Sequence, residues 1–487
     1  MRKYNTYLKS TIVYIIFAVI MTSCTDWLSI APENDLIKEK FWQKKSDADG
    51  ALAATYNAFR GASLESLIWG ELRADFVTFS GTDFSEYSSI QNSDISLSNS
   101  KISWESYYKA INLANTLMFF ADNVVEQDKS FTPRMKLAYD AECLYIRALC
   151  YFYLVRIWKE VPIVIEASVS DKGDLFKPKS TEKEVIAQII KDLLAAKDIA
   201  YTDEFIKQPE YYKGRANKYS IMTLLADVYL WNEEYQNAIN YCDSVINTGK
   251  FSLLYYSEWF QLYNPGNSMS ESIFEIQYDA TLEGQSNPIY NQMIPTPNGS
   301  AQVRINKNTT DKLFQKADQR LLGSYTALWK YSGLSPSSKQ KRETTQRDAN
   351  FIYYRYADVL LIKAEALNEL NQLSDANNYV RQTLERAGLS HSEIINKEEL
   401  RDYILDEKAR EFAFEGKRWF DILRYAKRNS FEQKQYIINM ILARAINIKQ
   451  ATILKTRVTD TMSYYLPIPR KDIESNNILE QNPFYDR

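Results

Sequence analysis

Between residues 219 and 246 apolar positions recur at helical spacing twice, with a short polar break between the two runs. Ile221, Leu224, Leu225 and Val228 fall at i, i+3, i+4 and i+7, one face of a helix. Asn232, Glu233 and Glu234 interrupt the run, and Tyr235, Ala238, Ile239, Cys242, Val245 and Ile246 restore it. The pattern predicts a helical hairpin, in which Ala226 and Ala238 let the two axes approach closely. A near-copy runs from Phe351 to Ala387, where Ala364 and Ala376 are separated by the same helix-turn-helix step.

This aromatic-and-alanine spacing resembles a tetratricopeptide repeat, a helix pair that buries its face only by stacking on neighbours. Further helices are predicted around the two hairpins. Ser46 with Asp49 reads as a capping box that opens a helix with Ala51, Leu52, Thr55, Tyr56 and Phe59 on one face. Another helix carries Trp104, Tyr107, Tyr108, Ile111, Ala114, Asn115 and Met118. Thr132 followed by Pro133 starts the next, which must stop near Val161-Pro162. Thr181 with Glu184 caps one more, and a long charged helix is predicted over Lys397 to Lys427. Periodicity fails from Gly61 to Ser103 and from Phe251 to Asn350, where prolines and polar residues alternate with aromatics. Within the second stretch Ile273 to Tyr278 alternates like a short strand, and Ser332 to Asn350 reads as a flexible polar loop.

At the N-terminus, Arg2, Lys3 and Lys9 precede an apolar run from Ile12 to Met21. That run is shorter than the roughly 20 residues that span a bilayer, so it reads as the core of a signal peptide. Met21-Thr22-Ser23-Cys24 closes it and resembles a bacterial lipobox, with Cys24 as the lipid anchor of the mature chain. Thr25 to Lys40 is then a tether from membrane to fold.

Composition narrows the chemistry. The 487 residues carry a net charge of −3, with no basic excess to neutralise nucleic-acid phosphates. Only 14 glycines suit helices rather than a turn-rich sheet protein. A single histidine, His391, excludes His-based triads and His-rich metal sites, and no cofactor motif is present. Cys143 and Cys150 lie two helical turns apart, too far for a disulfide, so they and Cys242 read as buried free thiols. Tyrosine is abundant at 35, with 22 Phe and 9 Trp, which suits helix packing or stacking on sugar rings.

From Glu407 to Arg424 acids and bases recur one turn apart: Asp406 with Arg410, Glu415 with Arg418, Asp421 with Arg424. Interleaved Phe412, Phe414, Trp419 and Phe420 require this helix to be covered, which partly buries the charges. Arg and Lys neighbours would hold Glu411 and Glu415 ionised rather than poised as acids, so the pair reads as structural and not catalytic.

The run Glu407…Arg410-Glu411-Phe412-Ala413-Phe414-Glu415-Gly416-Lys417-Arg418-Trp419-Phe420-Asp421 resembles the E-R-R-x-E-L-x-F-E-G-x-R-W-x-D helix of the SusD/RagB family. The closing Tyr465-Leu466-Pro467-Ile468-Pro469…Glu474…Asn476 and Gln481-Asn482-Pro483…Tyr485 is similar to that family's terminal motif. Lys408, Ala409, Asn477 and Phe484 depart from the family pattern.

The resemblance implies a mainly α fold, a SusD-like α-superhelix of four tetratricopeptide-like pairs packed against a loop-rich half with a few short strands. It implies residues 1–23 as signal peptide, 24–45 as lipidated tether and entry segment, and 46–250 with 251–487 as the two parts of one integrated domain. It also implies an outer-membrane, surface-exposed lipoprotein that is not an enzyme. Such a protein caps a SusC-like TonB-dependent transporter and delivers a glycan or oligosaccharide to it. Sugar rings present apolar faces to aromatics, so the candidate contacts are the loop aromatics Trp69, Tyr87, Tyr290 and Trp329. A RagB-like lid for peptide or another nutrient, and a repeat scaffold binding only protein, stay open as alternatives.

Overall fold

The computed structural model describes residues 41–79, 85–168, 176–202, 213–264, 270–289, 303–320, 329–334 and 342–486. The segment expected to be a signal peptide, residues 1–23, the expected anchor Cys24 with the tether to Lys40, and Tyr290 lie outside these residues.

Four helix pairs form the spine. They are α1 (Lys45–Gly61) with α3 (Glu105–Gln127), α4 (Pro133–Trp158) with α5 (Glu182–Ile199), α6 (Lys218–Trp231) with α7 (Tyr235–Ile246), and α8 (Tyr356–Glu369) with α9 (Leu373–Arg386). Each pair stacks on the next, α3 on α4, α5 on α6 and α7 on α8. The inner helices are buried nearly all round, as α4 is from Ala138 to Trp158. Both predicted hairpins close with the same backbone device. Glu233 and Asn371 adopt positive φ, +60° and +62°, and the next N–H reaches back to Tyr229 and Leu367 carbonyls at 2.9 Å.

The predicted caps hold at Thr132, which accepts the Met135 N–H, and at Thr181 with Glu184. The first helix is capped differently from the expectation. It begins at Lys45, and Asp47 accepts the N–H groups of Gln43 and Lys44, while Asp49 turns to Lys45 and Tyr139. The three cysteines are free and buried.

Two small sheets tie the loop-rich half to the spine. β1 (Val77–Phe79) pairs antiparallel with β3 (Val303–Ile305), and β2 (Ser272–Ile276) with β4 (Phe351–Arg355). The second copy of the hairpin pattern therefore starts as a strand, with helix only from Tyr356. Every residue of β2 and β4 is buried, so neither shows the one-sided alternation of an exposed sheet.

The long charged helix expected over Lys397 to Lys427 is two helices, α10 (Lys397–Glu411) and α11 (Arg418–Phe431). Phe414 and Gly416 take positive φ, +65° and +75°, and turn the chain between them. That turn lands on α2 (Ser63–Glu71) with backbone against backbone: a Cβ on Gly70 would sit 1.7 Å from the Gly416 carbonyl oxygen.

Candidate functional site

The turn between α10 and α11 organises a buried ionic lattice. Arg355, at the end of β4, bonds Glu271 at 2.7 Å, Glu411 at 2.5 Å and both carboxylate oxygens of Glu415 at 3.0 and 3.1 Å. Arg320 joins Asp318, Glu407 and Glu411, Arg386 pairs with Glu411, and Lys330 donates to Glu415 at 2.7 Å. A second set gathers Lys408, Arg424 and Arg428 around Glu365. The Asp421–Arg424 pair forms at 2.6 Å as the spacing predicts. Glu415 and Arg418 do not pair, because the turn points Arg418 at Asp75, 2.9 Å away.

These contacts decide the chemistry of Glu411 and Glu415. Burial alone would raise both carboxyls, but Arg386, Arg355 and Arg320 hold Glu411 well below its ordinary range, and Arg355, Lys330 and Lys417 do the same to Glu415. A carboxylate so strongly held cannot serve as a general acid. The cavity beside the lattice measures about 30 Å³, room for water and not for a ligand.

Glu71 is the exception. One oxygen accepts the Gly416 N–H at 2.9 Å, and the other is buried without a partner. Burial first, and the Asp75 carboxylate second, push its pKa up to about 8 against the opposing Gly416 bond. The folded state therefore holds a proton that the unfolded chain releases near its ordinary value of about 4.3. This stabilising contribution is complete at acid pH and is lost as pH rises through 8. Glu71→Gln is expected to remove it, so the stability gap between wild type and variant should change by on the order of 4 kcal/mol from pH 4 to pH 9. Urea unfolding across that range measures it, and parallel pH curves would contradict it.

The sequence-predicted aromatics fare unequally. Trp69 is 2% exposed, stacks on Tyr107 at 5.5 Å and donates its ring N–H to the Lys101 carbonyl, so it belongs to the core. Tyr87 is 8% exposed, under Lys101. Both are corrections: α2 and the helix Ser85–Gln91 form inside a stretch that lacks periodicity, and turn these rings inward. Trp329 opens the one-turn helix Trp329–Ser332.

An open cleft lies elsewhere, with a volume of about 840 Å³ between α1, the start of α4 and the chain at residues 214–215 and 276–285. Its lining is polar and aromatic: Tyr56, Asn57, Arg60, Tyr139, Arg215, Gln277 and Gln285 among others. Arg215 forks onto Glu142 at 2.5 and 3.0 Å, and the Tyr56 hydroxyl donates to the same carboxylate at 2.6 Å while accepting the Ala216 N–H. The Tyr139 hydroxyl donates to Asp49, which also pairs with Lys45. Sequence reasoning passed over these residues as a group. Asn57 and Arg60 look like the solvated face of an amphipathic helix, and only folding brings Gln277 and Gln285 opposite them.

Stacked helix pairs, a rigid ionic lattice and an open polar cleft define a repeat-built binding protein. A profile of the SusD family matches residues 221–485, and one described as starch-binding associating with outer membrane matches residues 26–230. SusD-like protein P38 of Formosa agariphila is 26% identical over 482 residues, 88% of this chain and 93% of its own. The fold is that of a SusD superfamily protein of Bacteroides vulgatus, with a TM-score of 0.75 and 22% identity over 91% of this chain and 100% of the other. A laminarin binding SusD-like protein superposes with a TM-score of 0.69 and 22% identity, again over 91% of this chain and 100% of its own. The chain belongs to the SusD family, a family of glycan-binding proteins. No helix among the described residues is long and apolar enough to cross a membrane.

Proposed function

We propose that this protein is an outer-membrane lipoprotein, anchored through Cys24, that captures an oligosaccharide at the cell surface and delivers it to a SusC-like TonB-dependent transporter. The observation that carries this reading is likeness along nearly the whole chain, in profile and in fold, to SusD-like proteins that include a laminarin binder. A lid that captures and releases a ligand needs a rigid back, and the stacked pairs with their buried lattice supply one. It needs no reactive carboxylate, and Glu411 and Glu415 are not reactive. Tyr290 and Trp329, in the loop-rich half, are the aromatics we assign to stacking on sugar rings.

The test is titration of the mature chain without its anchor cysteine, residues 25–487, with an oligosaccharide panel that includes laminarin fragments. Tyr290→Ala with Trp329→Ala should weaken a bound member by roughly tenfold, at about 0.5–1.5 kcal/mol per ring. Binding to no glycan would sink the reading. In cells, Cys24→Ser should abolish fatty-acid labelling and release the protein from the membrane fraction.

A further inference from the structure

The 840 Å³ cleft falls within the ~300–1,000 Å³ range of small-molecule sites, so its own groups bear on what it holds. Among the described residues its charges cancel in pairs, with one exception inside. Lys45 neutralises Asp49 at 2.5 Å, and Arg215 neutralises Glu142 through its forked contact. Glu283 stands on the exposed rim, where water screens it. Arg60 is half-buried, and among the described residues its guanidinium bonds neutral amide oxygens, Gln285 at 3.1 Å and Asn57 at 2.6 Å. No described carboxylate forms an ion pair with it.

An arginine held by two amides is oriented without being neutralised. Its planar fork suits a carboxylate, which it can bind through two parallel hydrogen bonds. The surrounding groups suit hydroxyls. Asn57 uses its oxygen on Arg60, which leaves its NH₂ to donate, and Gln277 and Gln285 line the facing wall. Tyr56 and Tyr139 place ring surface in the same cleft. Gly214 lets the backbone lie close to that wall, since a Cβ there would come within 2.7 Å of the Gln277 amide oxygen.

We infer that this cleft binds a uronic-acid residue of a glycan, with the sugar carboxylate on Arg60 and the amides of Asn57 and Gln285 on its hydroxyls. The inference rests on the glycan-binding reading above and adds the acidic sugar and the place. It is separate from the loop aromatics Tyr290 and Trp329.

Calorimetric titration of the mature chain tests it, with trisaccharides of galacturonate, glucuronate, mannuronate and guluronate beside neutral laminaritriose, cellotriose and maltotriose. At least one uronate should bind, more weakly as salt rises. Arg60→Gln should weaken it tenfold or more and flatten the salt dependence, while Arg60→Lys keeps part of the affinity. Ala53→Trp, which fills the cleft from α1 two turns before Arg60 and leaves the Arg60 side chain in place, should also block the uronate. It provides the same readout should Arg60→Gln lower the melting temperature. Unchanged uronate affinity in both variants overturns the inference. Binding of neutral sugars alone overturns it too, while leaving the glycan-binding reading intact. Binding of no sugar at all overturns both.

Discussion

Arg355→Ala is expected to lower the stability of the protein by about 3–5 kcal/mol, the cost of breaking a buried ion pair from one side. Arg355 faces Glu271, Glu411 and Glu415 at once, and all three carboxylates are buried. Without the guanidinium, three buried carboxylates remain close together with Arg320, Arg386 and Lys330 as their remaining counter-charges. The pH dependence gives the mechanism away. In the wild type Glu411 and Glu415 titrate below their ordinary range, so their stabilising contribution is full above about pH 4.3 and is lost as pH falls below it. In the variant the same carboxyls lose that pull and their pKa values rise, so the deficit should shrink as the solution is acidified. Urea midpoints from pH 4 to pH 8 measure this. As a control, the half-buried Arg381, bonded among the described residues to Asn378 on its own helix turn and to no carboxylate, should cost no more than about 0.5 kcal/mol when replaced by Ala. A deficit that stays constant with pH would mean that lost packing, and not uncompensated charge, accounts for the effect.

What could be read from the sequence divides along physical lines. The hairpins at 219–246 and 356–386 were legible because one face of each helix is apolar and the closing turn is polar. Caps at Thr132 and Thr181 were legible because a cap is a local hydrogen bond between residues three apart. Three features were not. Helix α2 is buried on every side, so its residues show no period to detect, and Trp69 reads as a loop aromatic until the helix is in place. The break at 412–417 hides in a segment whose charges keep helical spacing, because those charges pair with Asp75, Lys330 and Arg355 from distant parts of the chain. The cleft at Arg60 hides for the opposite reason: its walls come from α1, α4, β2 and the following loop, and none of these alone carries a motif. Local signals survive in a sequence, whereas a site assembled across several hundred residues leaves only ordinary polar residues behind.

Gly70→Ala should be more destructive than alanine at any other glycine whose surroundings the structure describes. The added Cβ would lie 1.7 Å from the carbonyl oxygen of Gly416 and 2.2 Å from its carbonyl carbon. No rotamer change can relieve a contact with main chain, so either α2 or the 412–417 turn must move. Moving the turn strains Gly416, whose φ of +75° already excludes most residues, and pulls its N–H from Glu71. It also shifts Arg418 relative to Asp75 and Glu415 relative to Arg355, so the steric cost spreads into the ionic lattice. The expected loss exceeds about 4 kcal/mol, in the range reserved for overpacked cores and broken buried networks. Gly50→Ala provides the contrast. Gly50 lies in the middle of α1 and is exposed, with nothing within 4 Å of an added Cβ, so the substitution should stabilise the protein by about 0.5–1 kcal/mol through helix propensity. The two variants add the same atom to glycines in two adjacent helices and should shift the melting temperature in opposite directions. A Gly70→Ala protein that melts like the wild type would mean that α2 and the 412–417 turn do not pack backbone to backbone.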